Sequence, residues 1–351
     1  MYSTDLKSWY IKATSREHWP SWVLYLPVIV QHFWLSIRAG SLFWFLQVNP
    51  GFERGFLLSD SKLKIYGRLP SHQVPETILI RKGEACSNVL QEIKRRGLAF
   101  PLILKPDIGF RGLGVHFVRT EPQLEDLLKD QKIDLLLQEF VNHKLEVGVF
   151  YARIPGHRNG NILSLTLKEF LTVTGNGKDT LSFIIRNDPR ACLQWRRLKD
   201  ELGDRWQQVP QKGERILLET IGNHNRGCKF VNGHDLIDDK LCARFDQISD
   251  QIEGFWYGRF DIKVPSIDHL RSGDNIKILE LNGIGAEPTH VYDPETGVFQ
   301  AWKDMLFTWR KAFEIAMAHR EKGVRFPVYS EAKDRYLQYR KYKSIAFNHK
   351  S

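Results

Sequence analysis

Apolar positions follow three different rhythms along this chain, and each rhythm predicts a different kind of element. From Trp19 to Leu46 (WPSWVLYLPVIVQHFWLSIRAGSLFWFL) they are nearly continuous and rich in Trp, Phe, Leu and Val. In the middle they form short apolar or alternating runs that read as strands: Leu135 to Phe140, Val147 to Arg153, Ile162 to Lys168, Ile216 to Glu219 and Ile276 to Leu281. Cys86 to Arg96, Glu121 to Lys129, Pro189 to Leu202 and Leu236 to Gly254 read as helices between them. From Ala301 to Gly323, Trp302, Met305, Leu306, Trp309, Phe313 and Ala316 recur at three- and four-residue steps, one long amphipathic helix. Pro327 stops it, and Tyr329 to Tyr342 restarts as a polar helix. The mixture predicts an α+β architecture of two subdomains, with an apolar helical segment before them and helices after. The expected boundaries are 1–60, 61–140, 141–300 and 301–351.

One segment, Pro101 to Val118 (PLILKPDIGFRGLGVHFV), carries the most chemistry. A short apolar run ends in Lys105 and Pro106, a loop with Gly109, Gly112 and Gly114 follows, and a second apolar run resumes. Strand, glycine-rich turn, strand is a hairpin whose tip can lie on a polyphosphate. Glycines let backbone N–H groups approach phosphate oxygens, and a lysine at the rim adds charge. Downstream stand YGRFDI (Tyr257 to Ile262) and IKILELNG (Ile276 to Gly283). Strand side chains alternate, so Arg259, Asp261 and Lys263 share one face, as do Glu280 and Asn282. Asp261, Glu280 and Asn282 form an oxygen-rich set suited to Mg²⁺ or Mn²⁺, and Arg259 sits beside it where charge would develop in phosphoryl transfer.

In this order and approximate spacing the motifs resemble the ATP-grasp superfamily, in its carboxylate–amine ligase branch with the D-alanine–D-alanine ligases. The resemblance covers roughly Lys62 to Pro294. It implies two α+β subdomains clamping ATP, and a reaction in which a carboxylate is activated as an acyl phosphate and joined to an amine. By the same resemblance Lys105 contacts the ATP phosphates, Gln138, Glu139, Phe140 and Val141 form the adenine hinge, and Glu146 accepts the ribose hydroxyls. Lys62 and Lys64 compete for an earlier phosphate-binding place. A narrower likeness joins Thr172 to Arg190 and Glu214 to Ile237 to the ATP-grasp domains of cyanophycin and bifunctional glutathione synthetases. It implies that Lys178 faces the nucleotide or acyl phosphate, and that His224 and Arg226 bind a substrate carboxylate. On the residues alone, a solvated hairpin turn at Gly175 to Lys178 and a polar surface loop at His224 and Arg226 remain open.

Composition changes the picture little. The formal net charge of the 351 residues is +10, which suits a nucleotide, an acidic substrate or an anionic membrane. No zinc knuckle, RNA-recognition signature or helix-turn-helix pattern points to nucleic acid. Four scattered cysteines point to a reducing cytoplasm rather than a disulfide framework.

The ends carry the open questions. Pro27, Gln31, His32 and Arg38 interrupt the stretch from Trp19 to Leu46, where a membrane span needs about 20 apolar residues. It reads as a helical pair packed on the body, as a segment on a membrane surface, to which the basic aromatic tail would also contribute, or as a true span. The ligase expectation has two rivals: an ATP-grasp kinase of a small metabolite, and a non-catalytic membrane-associated nucleotide-binding protein. Homodimers are common among ligases of the resembled kind.

Overall fold

The computed structural model describes residues 2–52, 60–109 and 113–347. Two N-terminal helices, α1 (Tyr2–Thr14) and α2 (Ser21–Ala39), lead by way of a short α3 (Lys62–Tyr66) into a four-stranded antiparallel sheet. Its strands β1 (Thr77–Ile80), β2 (Leu102–Pro106), β3 (His116–Val118) and β4 (Leu135–Glu139) lie in the order β1-β4-β2-β3. Helices α4 (Cys86–Arg95) and α5 (Glu121–Lys129) cover one face, where Val89, Ile93, Leu124 and Leu128 pack on Ile80, Leu102, Leu104 and Leu137. Thr120 caps α5 through its side chain, as the change from strand to helical rhythm there requires. The opposite face carries Ile103, Lys105 and Gln138 and looks into a cleft.

A second, five-stranded antiparallel sheet forms the other wall. Strands β5 (Leu145–Ala152), β6 (Asn161–Glu169), β9 (Lys229–Asn232), β10 (Tyr257–Val264) and β11 (Lys277–Asn282) take the order β11-β10-β5-β6-β9. Between β6 and β9 the chain forms a small β7 (Thr172–Thr174)–β8 (Arg215–Leu217) ribbon with helices α6 (Leu181–Asn187) and α7 (Trp195–Leu202). The period of two divides this sheet by chemistry. Val147, Val149, Phe260 and Ile262 bury one face beneath Leu241, Phe245 and Ile248 of α8 (Asp239–Asp250). Burying that many large apolar side chains, each worth about 1.5–3 kcal/mol on leaving water, pins the register, because a one-residue slip would turn all of them outward. The polar face, with Glu146, Lys168, Arg259, Asp261 and Lys263, is thereby fixed toward the cleft.

A short α9 (Ile267–Ser272) joins β10 to β11, and two helices close the chain, α10 (Val298–Glu321) and α11 (Tyr329–Phe347). Helix α2 runs alongside α10: Leu24 and Val28 meet Ala301 and Met305, while Leu35 and Ala39 meet Ala312 and Phe313. The Trp302 indole donates to the Val23 carbonyl (3.1 Å), and Arg320 donates to the Ala39 carbonyl (2.6 Å). This packing carries α2 straight through Pro27 despite the lost backbone donor. Helix α1 docks on the α6–α7 region, with Ser8 donating to the Cys192 carbonyl and Asp5 paired to Arg196. The apolar N-terminal segment is therefore a helical pair on the body, as one of its three readings expected, though only one face of α2 is buried. Among the described residues, no helix is long and apolar enough to cross a membrane.

Gly258 marks the tightest approach in the second sheet. Its φ of +156° and a would-be Cβ only 2.1 Å from the Asn282 carbonyl oxygen leave no room for a side chain. Gly258→Ala should cost about 2 kcal/mol or more by forcing β11 away from β10. Urea unfolding measures it; a loss below about 0.5 kcal/mol would show that the strand pair yields freely.

Candidate active site

The strands deliver their polar side chains to a single cleft of about 690 Å³ between the two sheets. Register does the placing. Asp261 stands opposite Glu280 on β11 and Gly148 on β5, Arg259 stands opposite Asn282, and Lys263 and Lys168 flank Glu146 from either side. Gly148 leaves space for the Arg259 side chain, which lies 3.4 Å from where a Cβ would be.

A buried charge network results. The Lys168 ammonium donates to Glu146 (2.8 Å) and pairs with Asp261 (2.9 Å), while Arg259 donates to Asp261 (3.0 Å). Burial alone would raise the Asp261 carboxyl, but Arg259 and Lys168 outweigh it and hold that group at about 2. Burial would likewise lower Lys168, yet its two carboxylates raise it. The Asn282 amide donates to Asp261 (3.2 Å), and Glu280 lies 3.4 Å from the Lys62 ammonium. Asp261, Glu280 and Asn282 thus lie on adjacent strands; Glu280 offers hard oxygens that suit a divalent ion such as Mg²⁺, whereas both Asp261 oxygens are held by Arg259, Lys168 and Asn282.

Lys105 is buried beneath the cleft floor. Its ammonium donates to Tyr66 Oη (2.9 Å) and to Gln138 Oε1 (2.8 Å), and burial pushes it down to about 8 against the opposing pull of Glu280 and Asp107. Gln138 also donates to Thr77 (2.8 Å), so its side chain ties Lys105 to β1. Glu139 pairs with Lys277 (3.2 Å). Gln138, Glu139, Phe140 and Val141, the expected hinge, all line the cleft. Lys263 lies over the rings of Phe140 (5.3 Å) and Phe170 (5.0 Å). Between the two early lysines, Lys62 lines the cleft, near Gly109, and Lys64 is exposed. Gly109 borders the cleft, Gly114 has the positive φ (+70°) of a turn, and Gly112 lies outside the described residues.

Two expected residues are not brought to the cleft. Lys178 is exposed on a turn whose backbone is tied to the Asn176 side chain (3.0 Å), the solvated hairpin that the residues alone left open. Arg226 points away and is neutralised by Glu219 and Glu201. His224 does line the cleft, in a corner that sequence reasoning missed. There Glu17, from the turn between α1 and α2, accepts from Arg190 through both carboxylate oxygens (2.6 and 2.7 Å), and its Oε2 lies 3.0 Å from His224 Nε2. Burial would raise Glu17, but His224 and Arg190 hold it at about 2, whereas burial keeps His18 near 4 and hence neutral. Ligand atoms of Glu17, His18 and His224 lie within 4.8 Å of one another. With a guanidinium already on both Glu17 oxygens, the corner is an ion-paired wall rather than a cation site.

Residues 60–150 match the family model of the RimK-like ATP-grasp domain. Over that stretch the chain is similar to an ATP-grasp domain. Among solved structures it is similar to VanG D-Ala:D-Ser ligase from Enterococcus faecalis, with 14% identity over 74% of this chain and 62% of that one (TM-score 0.42). It is similar to D-alanine–D-alanine ligase from Bacillus anthracis, with 13% identity over 77% and 71% (TM-score 0.40). A bifunctional glutathione synthetase from Pasteurella multocida gives 14% identity over 70% of this chain and 36% of that one (TM-score 0.39). The chain thus spans about a third of the synthetase's length and under two thirds of the VanG ligase's. No curated protein matches it.

Lys168 is the keystone of the cleft. Lys168→Met, which keeps length but removes the charge, should destabilise the fold by about 3–5 kcal/mol, because two buried carboxylates lose their shared cation. Denaturant midpoints read this directly; a change under about 1 kcal/mol would mean that the carboxylates find other partners.

Proposed function

We propose that this protein is an ATP- and divalent-metal-dependent ligase that activates a carboxylate as an acyl phosphate and couples it to an amine. The observation that carries this reading is the single row formed by Glu280, Asp261 and Arg259, facing Lys105 and Lys62 across one cleft. In the proposed reaction a substrate carboxylate oxygen attacks the γ-phosphorus of ATP and the bond to the β-phosphate oxygen breaks, releasing ADP. The amine nitrogen then attacks the acyl carbon, phosphate leaves and the amine gives up a proton. Neither step needs a side-chain nucleophile, and both need charge held in place. Lys62 and Lys105 hold phosphate oxygens, Arg259 turns from Asp261 toward the reacting phosphoryl group, and Glu146 accepts the ribose hydroxyls. Phe140 and Val141 pack the base. A divalent ion held by Glu280, Asn282 and Asp261 would supply neutralisation of the polyphosphate charge. Acyl phosphates require that water be kept from the cleft. His224, in the corner walled by Glu17 and Arg190, belongs to the substrate end.

The acid is best sought among amino acids and peptides. Thermal unfolding with Mg²⁺–ATP at about 100 times its dissociation constant should stabilise the wild type by about 2.7 kcal/mol and leave Glu280→Ala unshifted. ADP formation that requires both an acid and an amine, with an amide product by mass, then identifies a ligase. A phosphorylated product without amide would sink the coupling step.

The position of Lys105 adds a pH signature. Held at about 8, it is charged below that pH and loses its charge above it. Nucleotide affinity should therefore fall as pH rises beyond about 8, by up to about tenfold per unit. In Lys105→Arg, whose guanidinium stays charged, the decline should vanish. A flat wild-type profile of dissociation constant against pH would remove Lys105 from phosphate binding.

A further inference from the structure

The outward face of α2 is the least soluble surface of the molecule. Trp22, Leu26, Val30, Phe33, Trp34 and Ile37 recur at helical spacing and point away from the body, with exposures from 53% to 81%. Of the 23 exposed large apolar side chains in the described residues, 12 fall between Leu6 and Leu42. The buried face of the same helix is also apolar, with Leu24, Val28 and Leu35. A helix that is apolar all round is covered on every side in its working state, and a contiguous patch on this scale marks an interaction surface.

Charge indicates what covers it. Helix α2 contains no Asp or Glu, and Arg38 sits at its end with the guanidinium over Trp34 (4.9 Å) and over Phe313 of α10 (5.5 Å). That contact anchors the exposed Arg38 of α2 against the buried Phe313 at the seam between the two helices. On α10 the exposed stripe alternates aromatic and basic: Phe299, Lys303, Phe307, Arg310. A second copy meeting this face about a twofold axis would set the same cations against one another. A lipid surface with anionic headgroups instead receives the aromatic rings at the acyl boundary and the cations at the phosphates. Helix α2, at 19 residues, is about 28 Å long, and no described helix can cross a membrane, so the contact lies in the plane of the surface.

We propose that the outward faces of α2 and α10 form a docking surface for an anionic lipid bilayer, with α2 lying in the interface. Trp19 and Ser21, at the start of that surface, also line the cleft near Glu17, so docking brings the substrate end of the cleft to the lipid. The inference does not depend on the reaction that the cleft performs.

Flotation of the full chain with phosphatidylcholine vesicles, with and without phosphatidylserine, tests it. The chain should float with the serine-lipid vesicles, its tryptophan emission shifting to the blue. Val30→Glu with Phe33→Glu should abolish flotation while leaving the thermal midpoint intact, because both side chains are exposed. Arg38→Glu, Lys303→Glu and Arg310→Glu together should weaken binding on the order of a hundredfold. Equal binding to both vesicle types, or binding that survives Val30→Glu with Phe33→Glu, overturns the proposal. So does failure to float together with a dimer in sedimentation that the same double variant dissociates, since a second copy would then be the cover.

Discussion

The cleft depends on one buried ammonium group. Lys168 sits where two carboxylates from different strands, Glu146 and Asp261, would otherwise face each other without water between them. Taking such charges out of solvent costs several kcal/mol each, and the cost is met only when partners are close and well aimed. Lys168 supplies that on one side and Arg259 on the other, so Asp261 stays ionised where burial alone would protonate it. Its two oxygens are engaged by Lys168, Arg259 and Asn282, so its charge is compensated within the cleft. The sheet register that creates this network is enforced from the opposite face by the apolar layer under α8.

Lys105 is held by a different logic. Its partners are Tyr66, Gln138 and the Leu279 carbonyl, none of them a carboxylate, and burial lowers its affinity for a proton. A lysine so poised is charged at neutral pH and gives up its proton only as the pH passes about 8. The two lysines thus differ in kind, one clamped between carboxylates and one held by neutral oxygens.

Much of this was legible in the sequence wherever local rhythm was enough. The alternation in YGRFDI and LELN put Arg259, Asp261, Glu280 and Asn282 on the correct faces, and the glycine hairpin lies between the strands expected for it. Lys168 was missed because its meaning lies in the pairing of β5 with β6, which no single strand encodes. Glu17 and His18 were missed because they reach the cleft from the far end of the chain. Lys178 and Arg226 were assigned to the site because a glycine turn with a lysine, or a basic loop, reads the same whether it faces a ligand or solvent. What separates the cases is a neighbour such as Asn176 or Glu219, placed by tertiary structure. The apolar run of α2 was visible, but sequence alone could not say that it would keep one face bare.

The wall around Glu17 has a consequence for the order in which the molecule can assemble. Arg16 donates to the carbonyls of Val291 and Asp293, and Tyr25 donates to Glu287, joining residues 275, 277 and 262 positions apart. Contacts this distant in sequence are the last to repay the entropy of closing the intervening chain. During synthesis α2 must wait, its apolar face unpaired, until residues beyond 290 have emerged. The cleft is thus sealed by a clasp between an early and a late segment, and a nascent chain holds both sheets before it holds a finished pocket.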